Sequence, residues 1–162
     1  MELTIQLGNS NASVPVKATV IERSDIGHRS ENQDALGHRL VGDWLICVLA
    51  DGAGGHRGGE VAARQAVCAM IDEFTQSPTC EADQLLAMVQ RVNLGILKSQ
   101  QLNAELEDMH TTVCALVLNH RSGQVIWVHV GDSRVYHFQG SVLAARTKDH
   151  SVLQWIEDHK RT

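Results

Sequence analysis

Asp51 and Gly52 follow directly after an apolar run at residues 44–50 that has the character of a buried strand. A strand fixes a carboxylate rigidly, and a glycine lets a backbone carbonyl approach an ion closely. Hard divalent cations such as Mg²⁺ and Mn²⁺ prefer these oxygens. The alternative is a turn that only ends the strand. Five glycines between residues 52 and 59 favour a backbone that lies close to another group.

Two further segments carry residues of the same chemistry. Arg29 suits bidentate binding of phosphate, and Asp34 follows five residues later. They reach one site if a loop runs into a strand here; the alternative is a solvated charged loop. Asp132 is either part of a hairpin turn or a carboxylate at a sheet edge that faces the same cleft.

The adjacent residues Asp149, His150 and Ser151 do not form a Ser-His-Asp triad, because its members come from separate positions in the chain. We predict a helix at residues 149–158 with Asp149 as its N-cap.

The hydrophobic pattern predicts the elements that position these residues. Two helices are predicted at 60–74 and 82–102, between groups of strands. The strands are predicted at 16–23, 44–50, 111–118, 124–130, 134–138 and 141–145. This order favours an α+β fold with helices layered against sheets. We predict an N-terminal arm or edge strand at residues 1–15 and one domain at residues 16–162.

Composition limits the function classes. The 162 residues are 43% hydrophobic with a net charge of −5, which suits one domain with a core and argues against a nucleic-acid partner. No apolar run approaches the roughly 18 residues of a membrane helix, and the first residues do not resemble a signal peptide. Four dispersed cysteines indicate reduced thiols. We therefore expect no membrane partner and a cytoplasmic location.

Five short motifs in one order resemble the metal-dependent type 2C Ser/Thr protein phosphatases (the PPM family) of bacterial type. They are RSENQD at 29–34, DGAGGH at 51–56, TT at 111–112, GDSR at 131–134 and DHS at 149–151. The resemblance implies an α-β-β-α sandwich and hydrolysis of phosphoserine and phosphothreonine monoesters by water activated between two Mn²⁺ or Mg²⁺ ions. It also implies phosphorylated Ser/Thr proteins as partners, in opposition to a Ser/Thr kinase.

The resemblance assigns roles to single residues. It implies that Asp51 bridges both ions, that Gly52 gives a backbone carbonyl to one of them, and that Asp34 serves the cluster directly or through water. Asp132 resembles the ligand of a weaker third ion. Arg29 would hold the substrate phosphate, and His56 is a candidate acid for the leaving oxygen.

This chain departs from the family pattern in three ways. Gln33 stands where many members have glutamate, and His110 stands where glycine usually precedes Thr-Thr. The family also continues with two further metal-binding aspartates. We therefore expect a truncated form, incomplete at the C-terminus, with an open sheet edge and exposed apolar surface. The alternatives to an enzyme are a non-catalytic module that binds a phosphoprotein or regulatory partner, and an incomplete domain that is marginally folded alone.

Overall fold

The structure is a computed structural model that describes residues 1–7, 16–151 and 154, without the side chains of residues 6–7 and 55–57. Nine strands and two long helices follow one another in this part of the chain. In chain order they are β1 (Glu2–Leu7), β2 (Ala18–Arg23), β3 (Asp34–Val41), β4 (Trp44–Ala53), α1 (Gly55–Gln76), α2 (Ala82–Leu102), β5 (His110–Thr111), β6 (Val113–Asn119), β7 (Val125–Val130), β8 (Tyr136–Gln139) and β9 (Val142–Arg146). A short 3₁₀ turn, Ala104–Leu106, follows α2.

The central sheet is antiparallel and has the order β3-β4-β6-β7, with β5 paired to the end of β4. β4 is buried on both faces, as its continuous apolar run predicts. Ile46 and Val48 belong to the core on one face, while Leu45 and Cys47 belong to a second cluster. This strand therefore fixes the position of Asp51 at its end.

The helices cover one face of this sheet. α1 lies against β3 and β4, and α2 packs against α1. The bounds of α2 agree with the prediction because its buried residues recur every three or four positions; they are Leu85, Met88, Val92 and Ile96. α1 begins at Gly55, earlier than the predicted residue 60. Gly58 and Gly59, two of the glycines that favoured a close backbone approach, lie near its start, where the lack of a side chain allows close packing.

A two-stranded sheet, β1-β2, lies on the opposite face of the central sheet. Leu3, Ile5 and Val20 pack against the cluster of Leu45, Cys47 and Leu118. The described residues thus form a helical layer and two sheet layers, which confirms the α+β prediction. Residues 8–15 lie outside the described part, and the domain boundary at residue 16 stays a prediction.

The β8-β9 hairpin forms a third, separate sheet after β7. Its apolar side chains are exposed, with Phe138 at 56% and Val142 at 67%. This agrees with the exposed apolar surface that the sequence analysis expects. The strand predicted at 111–118 is divided at Thr112 into β5 and β6. Among the described residues, none of the helices combines the length and the apolar character that crossing a membrane requires.

Candidate active site

The register of β3 and β4 places Asp34 directly opposite Asp51. The two carboxyl groups come within hydrogen-bonding reach of each other. Burial raises the pKa of Asp51, the negative charge of Asp34 raises it further, and the guanidinium of Arg29 opposes both effects. Two carboxyl groups held together in a partly buried place make a site that favours a cation.

The loop between β2 and β3 brings Arg29 to this carboxylate pair. Arg29 lines a cleft of about 140 Å³ together with Asp34 and Asp51. The side chain of Asn32 holds the loop, because its Oδ1 accepts the backbone N–H of Asp34 at 3.1 Å and its Nδ2 donates to Ser24 Oγ at 2.9 Å. The sequence analysis missed Asn32. The signal was available, since an asparagine two residues before a strand start is typical of an Asx turn.

Gly52 lies in close contact with the first turn of α1. Its backbone N–H donates to the Gln33 carbonyl at 3.1 Å, and its Cα faces the Gly59 carbonyl so closely that a Cβ has no room. Gly54 faces the carbonyl of Asp108 in the same way. The glycines therefore bring the backbones of α1, β3 and β4 together. The close approach that the glycines favoured is present, and the groups that the glycine backbone approaches are backbone atoms of other segments.

Asp132 lies in the turn after β7, next to Gly131, whose φ of 100° suits glycine. Its charge is the smallest of the influences that raise the pKa of Asp51, and Asp132 is not among the described residues that line the cleft. The next residue, Ser133, reaches the central sheet through a hydrogen bond of 2.7 Å between its Oγ and Thr112 Oγ1.

The DHS segment, residues 149–151, also contacts the turn that carries Asp132. Arg134 donates two hydrogen bonds of 2.6 Å to the Asp149 carboxylate, which lower the pKa of that carboxyl. The backbone N–H of His150 donates to the Gly131 carbonyl at 2.9 Å. The Ser151 hydroxyl accepts the backbone N–H of Gln154. Most of the predicted helix lies outside the described residues, so Asp149 as its N-cap stays a prediction.

The sequence model of the protein phosphatase 2C family matches residues 22–153. The chain belongs to this family. It is 34% identical to the serine/threonine phosphatase Stp of Listeria monocytogenes over 137 residues, which cover 82% of this chain and 53% of that protein. It is 35% identical over 144 residues to the serine/threonine protein phosphatase PstP of Mycobacterium tuberculosis, which cover 86% of this chain and 26% of that protein. The chain thus spans about half the length of Stp, and less of PstP.

The fold also agrees with a solved structure of this phosphatase family. The catalytic domain of PstP in complex with two manganese ions superposes with a TM-score of 0.69 and 25% identity, covering 99% of this chain and 61% of that one. The layered antiparallel sheets and their helices are therefore the type 2C phosphatase fold.

The residues present fit part of the metal centre that this phosphatase family implies. Asp34 and Asp51 supply hard oxygens, and a cationic group already lies beside them, since the amino group of Met1 is 3.9 Å from Asp34 Oδ2. Within the described part of the chain, no three His, Cys, Asp or Glu side chains meet as one metal cluster. The described residues therefore fit one side of a divalent-cation site.

Two histidines of the sequence analysis lie near the end of β4 in the chain or in the sheet. His56 is in the first turn of α1, and its side chain is outside the described part, so its role stays a prediction. His110 is exposed at the start of β5, and its Nδ1 lies 2.7 Å from the Asp108 carbonyl oxygen.

Proposed function

We propose that this chain forms the phosphate-binding part of a metal-dependent protein phosphatase domain that hydrolyses phosphoserine and phosphothreonine in proteins. The observation that carries this proposal is the pairing of Asp34 and Asp51 across β3 and β4, with Arg29 in the same cleft. The family membership and the names of the relatives support it.

Each residue has a proposed task. Asp51 and Asp34 hold divalent ions, Gly52 contributes its carbonyl, and Asp132 holds a further ion at the edge of the cleft. Mn²⁺ or Mg²⁺, when bound, supplies charge neutralisation of the phosphate and an activated water.

Arg29 is proposed to bind the substrate phosphate. Its planar guanidinium binds two phosphate oxygens at once and so orients the phosphorus for in-line attack. His56 donates a proton to the leaving serine or threonine oxygen. The position of Arg29 in the lining of the same cleft as Asp34 and Asp51 supports its task.

The wider role follows from the chemistry of the substrate. We propose that the phosphatase acts on phosphorylated proteins and opposes a Ser/Thr kinase in the cytoplasm. The four free cysteines support a reducing compartment. The net charge of −5 supports the absence of a nucleic-acid partner.

The test is Mn²⁺-dependent hydrolysis of a phosphothreonine peptide, with Mn²⁺ binding measured in parallel by titration calorimetry. Asp51→Asn should lower both by more than about a hundredfold, because even residues that only support a metal ligand contribute ten- to hundredfold. Asp72→Asn is the matched control, since Asp72 is exposed on α1 and pairs with Arg39. The proposal is contradicted if hydrolysis survives Asp51→Asn. It is also contradicted if the unaltered chain neither binds Mn²⁺ nor hydrolyses the peptide.

A further inference from the structure

Thr112 occupies an irregular position in the ladder between β4 and the strands that follow. Its backbone N–H donates to the Asp51 carbonyl at 2.9 Å, as in a regular antiparallel pair. The return bond is different, because the backbone N–H of Asp51 donates to Thr112 Oγ1 at 3.0 Å. A side-chain hydroxyl therefore takes the place of a sheet carbonyl at the residue that carries the candidate metal ligand.

The same hydroxyl reaches the turn that carries Asp132. Thr112 Oγ1 lies 2.7 Å from Ser133 Oγ. The methyl group of Thr112 packs against Gly131, where an added Cβ would lie only 2.6 Å from Thr112 Cγ2. Thr112 thus contacts the turn on both sides of Asp132, while it is bonded to Asp51.

We propose that Thr112 is a positioning residue that holds the Asp132 turn at a defined distance from Asp51 and so sets the cation affinity of the site. Its hydroxyl can do both tasks at once, because an oxygen that accepts the Asp51 N–H still has a proton and a second lone pair for Ser133. The proposal rests on the proposed function only where it names Asp51 and Asp132 as cation ligands. The link itself depends on the hydrogen bonds alone.

The test compares four variants of the full chain. Thr112→Val keeps the shape and removes the hydroxyl, Thr112→Ser keeps the hydroxyl, and Ser133→Ala removes only the partner of the hydroxyl. Thr79→Val is the matched control, because the Oγ1 of Thr79 also accepts a backbone N–H, from Glu81 at 2.9 Å. Thr79 precedes α2, away from the carboxylates.

The first measurement is amide hydrogen exchange by NMR without metal. Thr112→Val should expose the Asp51 amide to exchange about tenfold faster and shift the amide resonances of residues 131–134. Ser133→Ala should shift the amide resonances of the same turn while the Asp51 amide stays protected from exchange. Thr112→Ser should keep both the protection of Asp51 and the turn resonances as in the unaltered chain. If the turn resonances stay unchanged in Thr112→Val, or change equally in Thr79→Val, the positioning role is refuted.

The second measurement is the Kd for Mn²⁺ by titration calorimetry. Thr112→Val should raise it by about tenfold, as loss of a group that orients a metal ligand does, and Thr112→Ser should stay within about twofold of the unaltered chain. Equal weakening in Thr79→Val would show a loss of general stability and would overturn the inference. If the unaltered chain binds no Mn²⁺, the proposed function fails, while the exchange data still decide the link.

Discussion

Gly52→Ala tests whether the candidate site depends on close contact between backbones. An added Cβ would lie 2.7 Å from the Gln33 carbonyl oxygen and would also overlap the Gly59 carbonyl. Both neighbours are backbone atoms, which cannot rotate away as a side chain can. Gly52 is not among the described glycines with positive φ, so the cost of alanine comes from lack of space alone.

The magnitude follows from the cost of overpacking. Forcing an extra carbon into a well-packed place costs about 1–3 kcal/mol. In a domain of this size, each kcal/mol shifts the unfolding midpoint by roughly 2–4 °C, so we expect Gly52→Ala to unfold about 2–12 °C lower. The assay is thermal unfolding followed by circular dichroism, in metal-free buffer.

Gly95→Ala is the control for this prediction. It lies inside α2, and its nearest neighbour is Gln65 Nε2 at 3.3 Å, the end of a flexible side chain. Alanine there should stabilise the helix by about 0.5–1 kcal/mol. If Gly52→Ala unfolds at the same temperature as the unaltered chain while Gly95→Ala behaves as expected, the backbone contact does not hold the site.

Two further predictions concern titrating groups. Because burial and Asp34 raise the pKa of Asp51, the stability that protonated Asp51 contributes is present below its ordinary pKa of about 3.9 and is lost as the pH rises through the raised value. Asp51→Asn should therefore raise the temperature of the unfolding midpoint at pH 7 without metal, and should not raise it below pH ~3.9. A lower midpoint in Asp51→Asn than in the unaltered chain at pH 7 would contradict this. Burial raises the pKa of Cys47 to about 12, whereas Cys68 is exposed, so Ellman's reagent at pH 8 should first modify one thiol. Cys68→Ser should abolish that fast phase, and its persistence would place the reactive thiol elsewhere.

The sequence could predict the elements whose signals are local. β4 has a continuous apolar run because both of its faces are buried, and α2 has a regular apolar stripe because only one face is. Asp51 was predictable as a candidate site residue, since it follows directly after the apolar run of β4. The meeting of Asp34 with Asp51 depends on the pairing of β3 with β4. The sequence analysis held a strand after Asp34 only as one alternative, and it placed both carboxylates at one site through the family resemblance.

The features that escaped prediction depend on contacts between distant segments. Thr112 lies 61 residues from Asp51 and 21 residues from Ser133, so its hydroxyl bonds exist only in the folded chain. The start of α1 was wrong for a related reason. Glycines disfavour a helix locally, but here their lack of side chains lets α1 begin in contact with β4, and this packing outweighs the propensity.

The same contacts that bring the carboxylates together also fix the register of the central sheet. A shift of β3 against β4 by one residue would turn Asp34 to the opposite face from Asp51 and would turn Ala35 away from the core cluster. The bond from the Gly52 N–H to the Gln33 carbonyl supports the same register where β4 ends, because it joins the residue before β3 to the residue after Asp51. The burial of the core therefore favours the arrangement that the site needs. The two carboxylates repel each other, which opposes folding without a cation. The burial of β4 on both faces offsets this repulsion and holds the carboxylates in place.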